Sequence, residues 1–167
     1  MDISTIWNIL NTQAGSTLVV GFFIILVSIT AIYFQRKTTK QKSALEFLDR
    51  LSTEQSLIDS ANFLKDCHSN PEMSVELIAT SKKEEHKNKQ VQLDVILNYF
   101  ETLSIGVRIG IYDKKTVRLS RKQQIIHTFE RSEVYIKKIR KDLKNDKIFE
   151  NLEWLFEKFK SEVEKEK

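Results

Sequence analysis

Cysteine, proline and glycine are all scarce in this chain. Its 167 residues include one cysteine, one proline and four glycines. A single cysteine, Cys67, excludes a disulfide within the chain and suits a domain that faces a reducing cytoplasm, so we interpret it as structural. The low proline and glycine content favours long helices, because these two residues are the ones that most often interrupt them.

Charge is missing from a long N-terminal segment. Residues 3–35 contain no Asp, Glu, Lys or Arg, and residues 17–34 form an almost continuous apolar run. As an α-helix this run is about 27 Å long, close to the roughly 30 Å hydrocarbon core of a bilayer. The sequence therefore predicts a single transmembrane helix, which we assign to residues 17–35.

The features of a cleavable signal peptide are also lacking. No basic residue precedes the run, and Ile32, Tyr33 and Phe34 stand where small residues are needed for cleavage. The run also exceeds the roughly 7 to 15 apolar residues of a signal peptide. We expect the segment to be retained as a membrane anchor, preceded by a short external N-terminus of residues 1–16.

Basic residues cluster on one side of the run. Asp2 is the only charged residue before the run. After it come four basic residues with no acidic residue among them, Arg36, Lys37, Lys40 and Lys42. The positive-inside rule predicts a single-pass protein with its N-terminus outside and its C-terminal domain in the cytoplasm. These four side chains are also candidates for contact with anionic lipid headgroups, the alternative being that they only set the topology.

Beyond the basic cluster, apolar residues recur at helical spacing. Residues 36–52 are predicted to be a basic juxtamembrane helical stalk and residues 53–167 a helical bundle. The predicted fold class is all-α, a single N-terminal transmembrane helix followed by a cytoplasmic bundle of three to five helices. Ser52 or Thr53 is expected to cap the second helix, and Pro71 to interrupt the chain after it.

The bundle is predicted to have a central helix that runs from about Val91 to Gly110. This segment is apolar on nearly all sides, and Gly110 suits the left-handed position that follows many helices. Asp113 is placed to cap the next helix, which we expect Asn145 to close, with Asp146 beginning the last one.

Four stretches of this region resemble a known family. They read LNYFE at 97–101, IGVRIGIYD at 105–113, YIKKIR at 135–140 and IFENLEWL at 148–155. Together with the order of an anchor followed by helices, they resemble a bacterial and prophage family catalogued as domain of unknown function 4760. The chain lacks that family's prolines near Glu133 and after Asn145. The resemblance implies a membrane-tethered helical domain, which we place at the bacterial inner membrane, and supplies no activity.

The sequence contains no recognisable catalytic or metal-binding motif. His68, His86 and His127 are far apart, and none lies in a zinc-protease arrangement. Gly106 and Gly110 are four residues apart, which is more typical of a small-residue packing notch than of a phosphate-binding loop. We predict no metal site and no cofactor.

We single out six of the polar residues within the family-like stretches. Charges in such apolar surroundings should be paired, because an unpaired buried charge costs several kcal/mol. We interpret the set as a structural ion-pair network in which Arg140 pairs with Glu101 or Glu153, and a ligand-binding cleft is the alternative. The six are Asn98, Glu101, Arg108, Asp113, Arg140 and Glu153.

These features favour a non-enzymatic, membrane-anchored interaction module that binds a protein partner or itself. The prophage occurrence of the resembling family makes phage exclusion or host defence a plausible setting. One alternative is an enzyme that uses Glu101, Arg108 and Asp113. Another is binding of anionic lipid or nucleic acid through residues 108–147, which hold 13 basic and 5 acidic residues. Nucleic acid is disfavoured, because interleaved stacking aromatics and a reading helix are lacking.

Overall fold

The computed structural model describes residues 13–70, 73–81 and 83–165. Helices account for nearly all of these residues, and none of them lies in a strand, so the predicted all-α fold class is confirmed. Pro71 lies outside the described residues. The chain divides into two compact units, Met1–Thr39 and Lys40–Lys167. The helices are α1 (Gln13–Thr53), α2 (Gln55–Ser69), α3 (Val75–Thr80), α4 (Glu84–Arg108), α5 (Lys114–Leu143) and α6 (Glu150–Lys165).

The first unit contains the apolar part of α1. This part includes an 18-residue apolar window, none of which is buried inside the molecule, and residues 17–34 carry no charge. The hydroxyls of Ser28 and Thr30 each donate to the carbonyl four residues earlier, so these polar groups find partners within the helix. By length and composition α1 is able to cross a membrane.

The second unit is a bundle arranged around α4, which contacts α2, α3, α5 and α6. This central position is the one predicted from the apolar pattern, but α4 begins at Glu84, earlier than the predicted start near Val91. Its polar first turns consist mostly of good helix formers, and Gln90 ties them to α3 by donating to the carbonyl of Ile78 (2.8 Å). The fully buried side chains of α4 include Leu93, Ile96, Leu97, Phe100 and Leu103.

Residues 40–53 of α1 supply part of the core of the second unit. The Phe47 ring stacks on Tyr99 of α4 at 4.9 Å between centroids, and the Tyr99 hydroxyl donates to the Phe47 carbonyl (3.0 Å). Burial raises the pKa of Tyr99 to about 12. The stretch we assigned to the stalk therefore includes residues that pack within the bundle, and its buried side chains are Ala44, Phe47, Leu48 and Leu51.

The boundary between α1 and α2 differs from the prediction. Ser52 and Thr53 lie inside α1, and the residue before α2 is Glu54, which makes no side-chain cap. The Thr53 hydroxyl donates backwards to the carbonyl of Asp49 (3.1 Å), and Glu54 accepts hydrogen bonds from Arg50. These local bonds extend α1 through Thr53, so the prediction that Ser52 or Thr53 caps α2 is wrong.

A tight corner, residues 106–113, joins α4 to α5. Gly110 has φ +76°, the left-handed conformation expected for it, and α4 ends at Arg108. The carbonyl of Gly106 accepts hydrogen bonds from the backbone N–H groups of Ile111 (2.9 Å) and Tyr112 (3.0 Å). A Cβ atom at Gly106 would overlap the Tyr112 ring, so only glycine allows this close packing.

The boundary between α5 and α6 also differs from the prediction. Lys144, with φ 49°, follows α5 in place of Asn145, and α6 begins at Glu150 instead of Asp146. Asp146 and the following residues form turns, and Phe149 has φ 58° immediately before α6. No capping side chain precedes Glu150 in the chain, so the first N–H groups of α6 need acceptors from elsewhere in the fold.

Candidate functional site

Glu101 of α4 caps the N-terminus of α6. Its Oε2 accepts from the backbone N–H of Leu152 (2.7 Å), and its Oε1 accepts from the backbone N–H (3.3 Å) and side-chain Nδ2 (2.7 Å) of Asn151. Asn151 and Leu152 are the second and third residues of α6, whose N–H groups have no acceptor within the helix. The carboxylate also interacts favourably with the positive end of the helix dipole.

Arg108 reaches the same helix start. Its Nη1 donates to Asn151 Oδ1 (2.8 Å), and its guanidinium lies 5.7 Å from the centre of the Trp154 ring. The Asn151 side chain therefore joins two predicted site residues, because its amide nitrogen donates to Glu101 and its amide oxygen accepts from Arg108. Asn151 and Trp154 were missed as site residues, although both lie in the family-like stretch 148–155.

Arg140 of α5 is the third predicted site residue that contacts the start of α6. It pairs with Glu153, one of its two predicted partners, at 2.8 Å between Nη2 and Oε2, and its Nε donates to the carbonyl of Ile148 (2.9 Å). The Arg140 side chain is 15% exposed and that of Glu153 38%. Because Ile148 lies in the turn before α6 and Glu153 in the first turn of α6, Arg140 fixes the angle at which the chain enters the helix.

Asp113 and Asn98 do not join these residues. Asp113 Oδ2 accepts from the backbone N–H and the hydroxyl of Thr116, both at 2.8 Å, so Asp113 caps α5 as predicted. Asn98 is exposed and lines an open groove of about 350 Å³ together with Arg50 and Tyr99. The structure thus links Glu101 and Arg108 through one partner and engages Asp113 at a different helix start.

Part of the basic charge between residues 108 and 147 is paired with nearby carboxylates. Lys114 and Arg118 lie 2.6 and 3.1 Å from the carboxylate of Glu162 on α6, and the two cations lower the pKa of that carboxyl, Lys114 having the larger effect. Lys137 and Lys138 form ion pairs along α5 with Glu133 and Asp142. These contacts reduce the positive field that this stretch offers to a polyanion.

The family of this chain follows from a comparison with known protein families. Residues 15–159 match the family described as a domain of unknown function (DUF4760). The chain belongs to the DUF4760 family. Neither a search of curated proteins nor one of solved structures finds a match for it. The family-like stretches that contribute to the α6 start, 97–101, 135–140 and 148–155, all lie within the matched region.

A second buried polar contact in this DUF4760 chain joins α4 to α5. The Tyr135 hydroxyl donates to Asp94 Oδ1 (2.9 Å), and Tyr135 itself is 4% exposed. Burial raises the pKa of Asp94, opposed by the Tyr135 hydrogen bond, and burial together with the Asp94 carboxylate raises the pKa of Tyr135. We missed this pair, since an aspartate near the polar start of a helix gives no signal that it faces the core.

Cys67 is buried, and burial, together with the nearby Asp66 carboxylate, raises the pKa of its thiol. A nucleophilic cysteine requires the opposite shift, so this site suits the structural role inferred from the sequence. Among the residues that the structure describes, no group of three or more His, Cys, Asp or Glu side chains is placed to hold a metal ion.

The start of α6 could have been suspected from the sequence by its missing cap. Phe149 precedes Glu150, and a phenylalanine offers no oxygen atom to the first N–H groups of a helix. A helix that begins without Ser, Thr, Asp or Asn must find acceptors on another element or in water. The acceptor, Glu101, lies 50 positions before Asn151 in the sequence. A contact between residues so far apart cannot be inferred from the periodicity of either helix.

Proposed function

We propose that this DUF4760 protein is a non-enzymatic interaction module that α1 anchors to the bacterial inner membrane, with the second unit in the cytoplasm. The observation that carries the proposal is the apolar window of α1, which is long enough to span a bilayer and has none of its residues buried in the molecule. Burying so much apolar surface in lipid is strongly favourable. The basic residues that follow the window, beginning with Arg36 and Lys37, support the orientation.

The contacts of the candidate site support a structural role over catalysis. Both Glu101 oxygens accept hydrogen bonds from the start of α6, and Asp113 accepts from Thr116. The oxygens that these hydrogen bonds occupy are less available to take a proton from a substrate. The proposed role of these residues is to hold the bundle rigid so that it presents a constant surface to a protein partner or a second copy. The proposed setting is phage exclusion or host defence, which rests only on the resemblance to a bacterial and prophage family.

The anchor is tested by alkaline extraction combined with intact mass. Membranes from cells that make the full-length protein are washed at high pH, and the retained chain is weighed by mass spectrometry. We expect the complete chain to stay in the pellet, because a spanning helix resists this treatment. Release into the wash would contradict anchoring, and a retained chain that lacks the apolar run would identify that run as a cleaved signal sequence.

The interaction role is tested by cross-linking in the same membranes. We expect cross-links from the second unit to another protein or to a second copy of the chain. The enzyme alternative makes a different prediction, namely an activity that Glu101→Gln abolishes without changing the thermal midpoint or the cross-links. That result would overturn the proposal.

A further inference from the structure

Two exposed isoleucines project from the corner between α4 and α5. Ile109 is 64% exposed and Ile111 is 54% exposed, and only Gly110 separates them. Single exposed apolar residues are normal on protein surfaces, whereas a group at one point indicates a contact site. Ile105, one turn earlier on α4 and also exposed, extends the apolar surface. We call residues 109–111 the isoleucine corner.

The backbone of the isoleucine corner is held in place, so the two side chains have no route into the core. The N–H groups of Ile111 and Tyr112 bind the Gly106 carbonyl, and the Tyr112 ring packs against Gly106 and lies 5.2 Å from the Phe47 ring. A preorganised apolar projection of this kind loses little conformational entropy when it binds.

The length of chain between the apolar run and Lys40 limits how far the isoleucine corner can lie from a bilayer that α1 spans. The Asp113 backbone N–H donates to the Lys40 carbonyl (3.3 Å), and the Lys40 ammonium lies 3.7 Å from where a Cβ of Gly110 would be. Lys40 follows Phe34, the last residue of the apolar run, by six positions. Six residues reach at most about 20 Å even when fully extended, so the corner cannot lie far from the bilayer.

The charge around the isoleucine corner suits anionic lipid. Lys40 lies beside Gly110, Lys115 is the second residue of α5, and both side chains are exposed. Of the acidic groups in this region, Glu162 is paired with Lys114, and Asp113 caps the start of α5 by accepting from Thr116. Lysines beside exposed aliphatic side chains are the combination that binds the interface of an anionic membrane.

We propose that the isoleucine corner is a second membrane contact, in which Ile109 and Ile111 enter the interface of the bilayer that α1 spans while Lys40 and Lys115 bind anionic headgroups. This inference rests on the proposed anchoring. Because α1 already confines the second unit to the surface, a contact too weak to bind a free protein to membranes suffices here. A second copy of the chain fits the isoleucine corner less well than an anionic membrane does. A twofold contact through this corner would bring the lysines of the two copies together, and their like charges repel.

The test uses full-length protein reconstituted in vesicles of phosphatidylcholine and phosphatidylglycerol. In a Cys67→Ala background, an environment-sensitive fluorophore is attached at Ile109→Cys, and nitroxide-labelled lipid serves as the quencher. The matched control is Leu143→Cys, since Leu143 is 67% exposed and ends α5, about 44 Å along that helix from its start. A third label at Ile25→Cys reports on the apolar run itself.

We expect the label at position 109 to emit at shorter wavelength and to lose most of its fluorescence to the lipid quencher, whereas position 143 stays water-like and unquenched. Omitting phosphatidylglycerol should weaken the quenching at position 109.

If position 25 is quenched and positions 109 and 143 behave alike, the corner contact is wrong and the anchor stands. If position 25 is not quenched, both proposals fail. A blue shift at position 109 that resists the lipid quencher and disappears on protein dilution would identify a second copy as the occupant and overturn the inference.

Discussion

At the scale of single residues, Glu101 connects two helices that are distant in the sequence. Its carboxylate accepts from two backbone N–H groups and one amide of α6, whereas most capping side chains belong to the helix they cap. The same helix start is held from α5 by Arg140. Three helices therefore meet at a point where the local sequence provides no cap.

Glu101→Ala is expected to lower the free energy of unfolding by about 1–3 kcal/mol, because it leaves the first N–H groups of α6 without an acceptor. The matched control is Glu46→Ala, which removes only an exposed pair with Lys42 and should cost less than about 1 kcal/mol. Urea unfolding of the full-length protein in detergent measures both. Equal effects of the two substitutions would show that Glu101 is not a cap.

Arg140→Ala should destabilise the protein by about 1–3 kcal/mol. The substitution removes one bond to Glu153 and one to the Ile148 carbonyl. The cost stays below the roughly 3–5 kcal/mol of a fully buried pair, because Glu153 is 38% exposed and can be hydrated when its partner is lost. Arg140→Lys should recover only part of the loss, since lysine cannot reach both acceptors with a planar group. Urea unfolding in detergent measures both variants; an unchanged midpoint for Arg140→Ala, or a lysine variant as stable as the parent, would contradict this geometry.

Asp94→Asn should change how stability depends on pH. Burial raises the pKa of Asp94 above its ordinary value of 3.8, so the folded chain keeps this proton to a higher pH than the unfolded chain. The resulting stabilisation is complete below the ordinary value and is lost as the pH rises through the raised one. Asparagine still accepts from Tyr135 and does not titrate.

We therefore expect Asp94→Asn to be at least as stable as the parent at neutral pH and to have a flatter pH dependence on the acidic side. Urea midpoints measured for both proteins at a series of pH values provide the test. A large loss of stability at neutral pH, with the parent's slope retained, would mean that the charged form of Asp94 is the stabilising one.

At the scale of elements, glycine determines the corner between α4 and α5. Gly106→Ala should destabilise the protein strongly, because the new Cβ would overlap the Tyr112 ring and displace it from Phe47. Gly21→Ala is the control, since no atom lies within 4 Å of a Cβ built at that position and alanine is the better helix former. Thermal unfolding in detergent compares the two, and similar midpoints would contradict the packing described here.

The helices themselves were predictable, whereas some of their ends were not. The apolar pattern of α4 predicted its central position, and Gly110 and Asp113 marked the corner, because these signals are local. The predicted caps at Ser52, Thr53, Asn145 and Asp146 were wrong. At the end of α1, the Thr53 hydroxyl donates to a carbonyl of its own helix instead of capping α2. At the start of α6, the cap is Glu101, which lies 50 positions before Asn151. Tertiary contacts of that kind leave no periodic trace in one sequence.

The candidate site was predictable only in part, for the same reason. Arg140 and Glu153 were recognised because each follows or precedes apolar residues on its helix, and the structure pairs them. Asn98 has the same kind of neighbours and is exposed instead. Burial on one face of a helix depends on the helices packed against it, so a polar residue at the margin of an apolar stripe can lie on either side.

At the scale of the whole molecule, we propose that one apolar helix anchors a helical bundle to the membrane and that the second unit faces the cytoplasm. Cys67 is a poor reporter of this orientation, because it is 4% exposed and a bulky reagent cannot reach it. Leu143 is well exposed at the end of α5 and offers a better position for a thiol.

The most direct test is thiol labelling at Leu143→Cys, in a Cys67→Ala background, with a membrane-impermeant reagent applied to spheroplasts and followed by isolation of the washed membranes. We predict that the membrane-bound protein is unlabelled in intact spheroplasts and becomes labelled once they are permeabilised. Labelling before permeabilisation would place the second unit outside the cell and contradict the account.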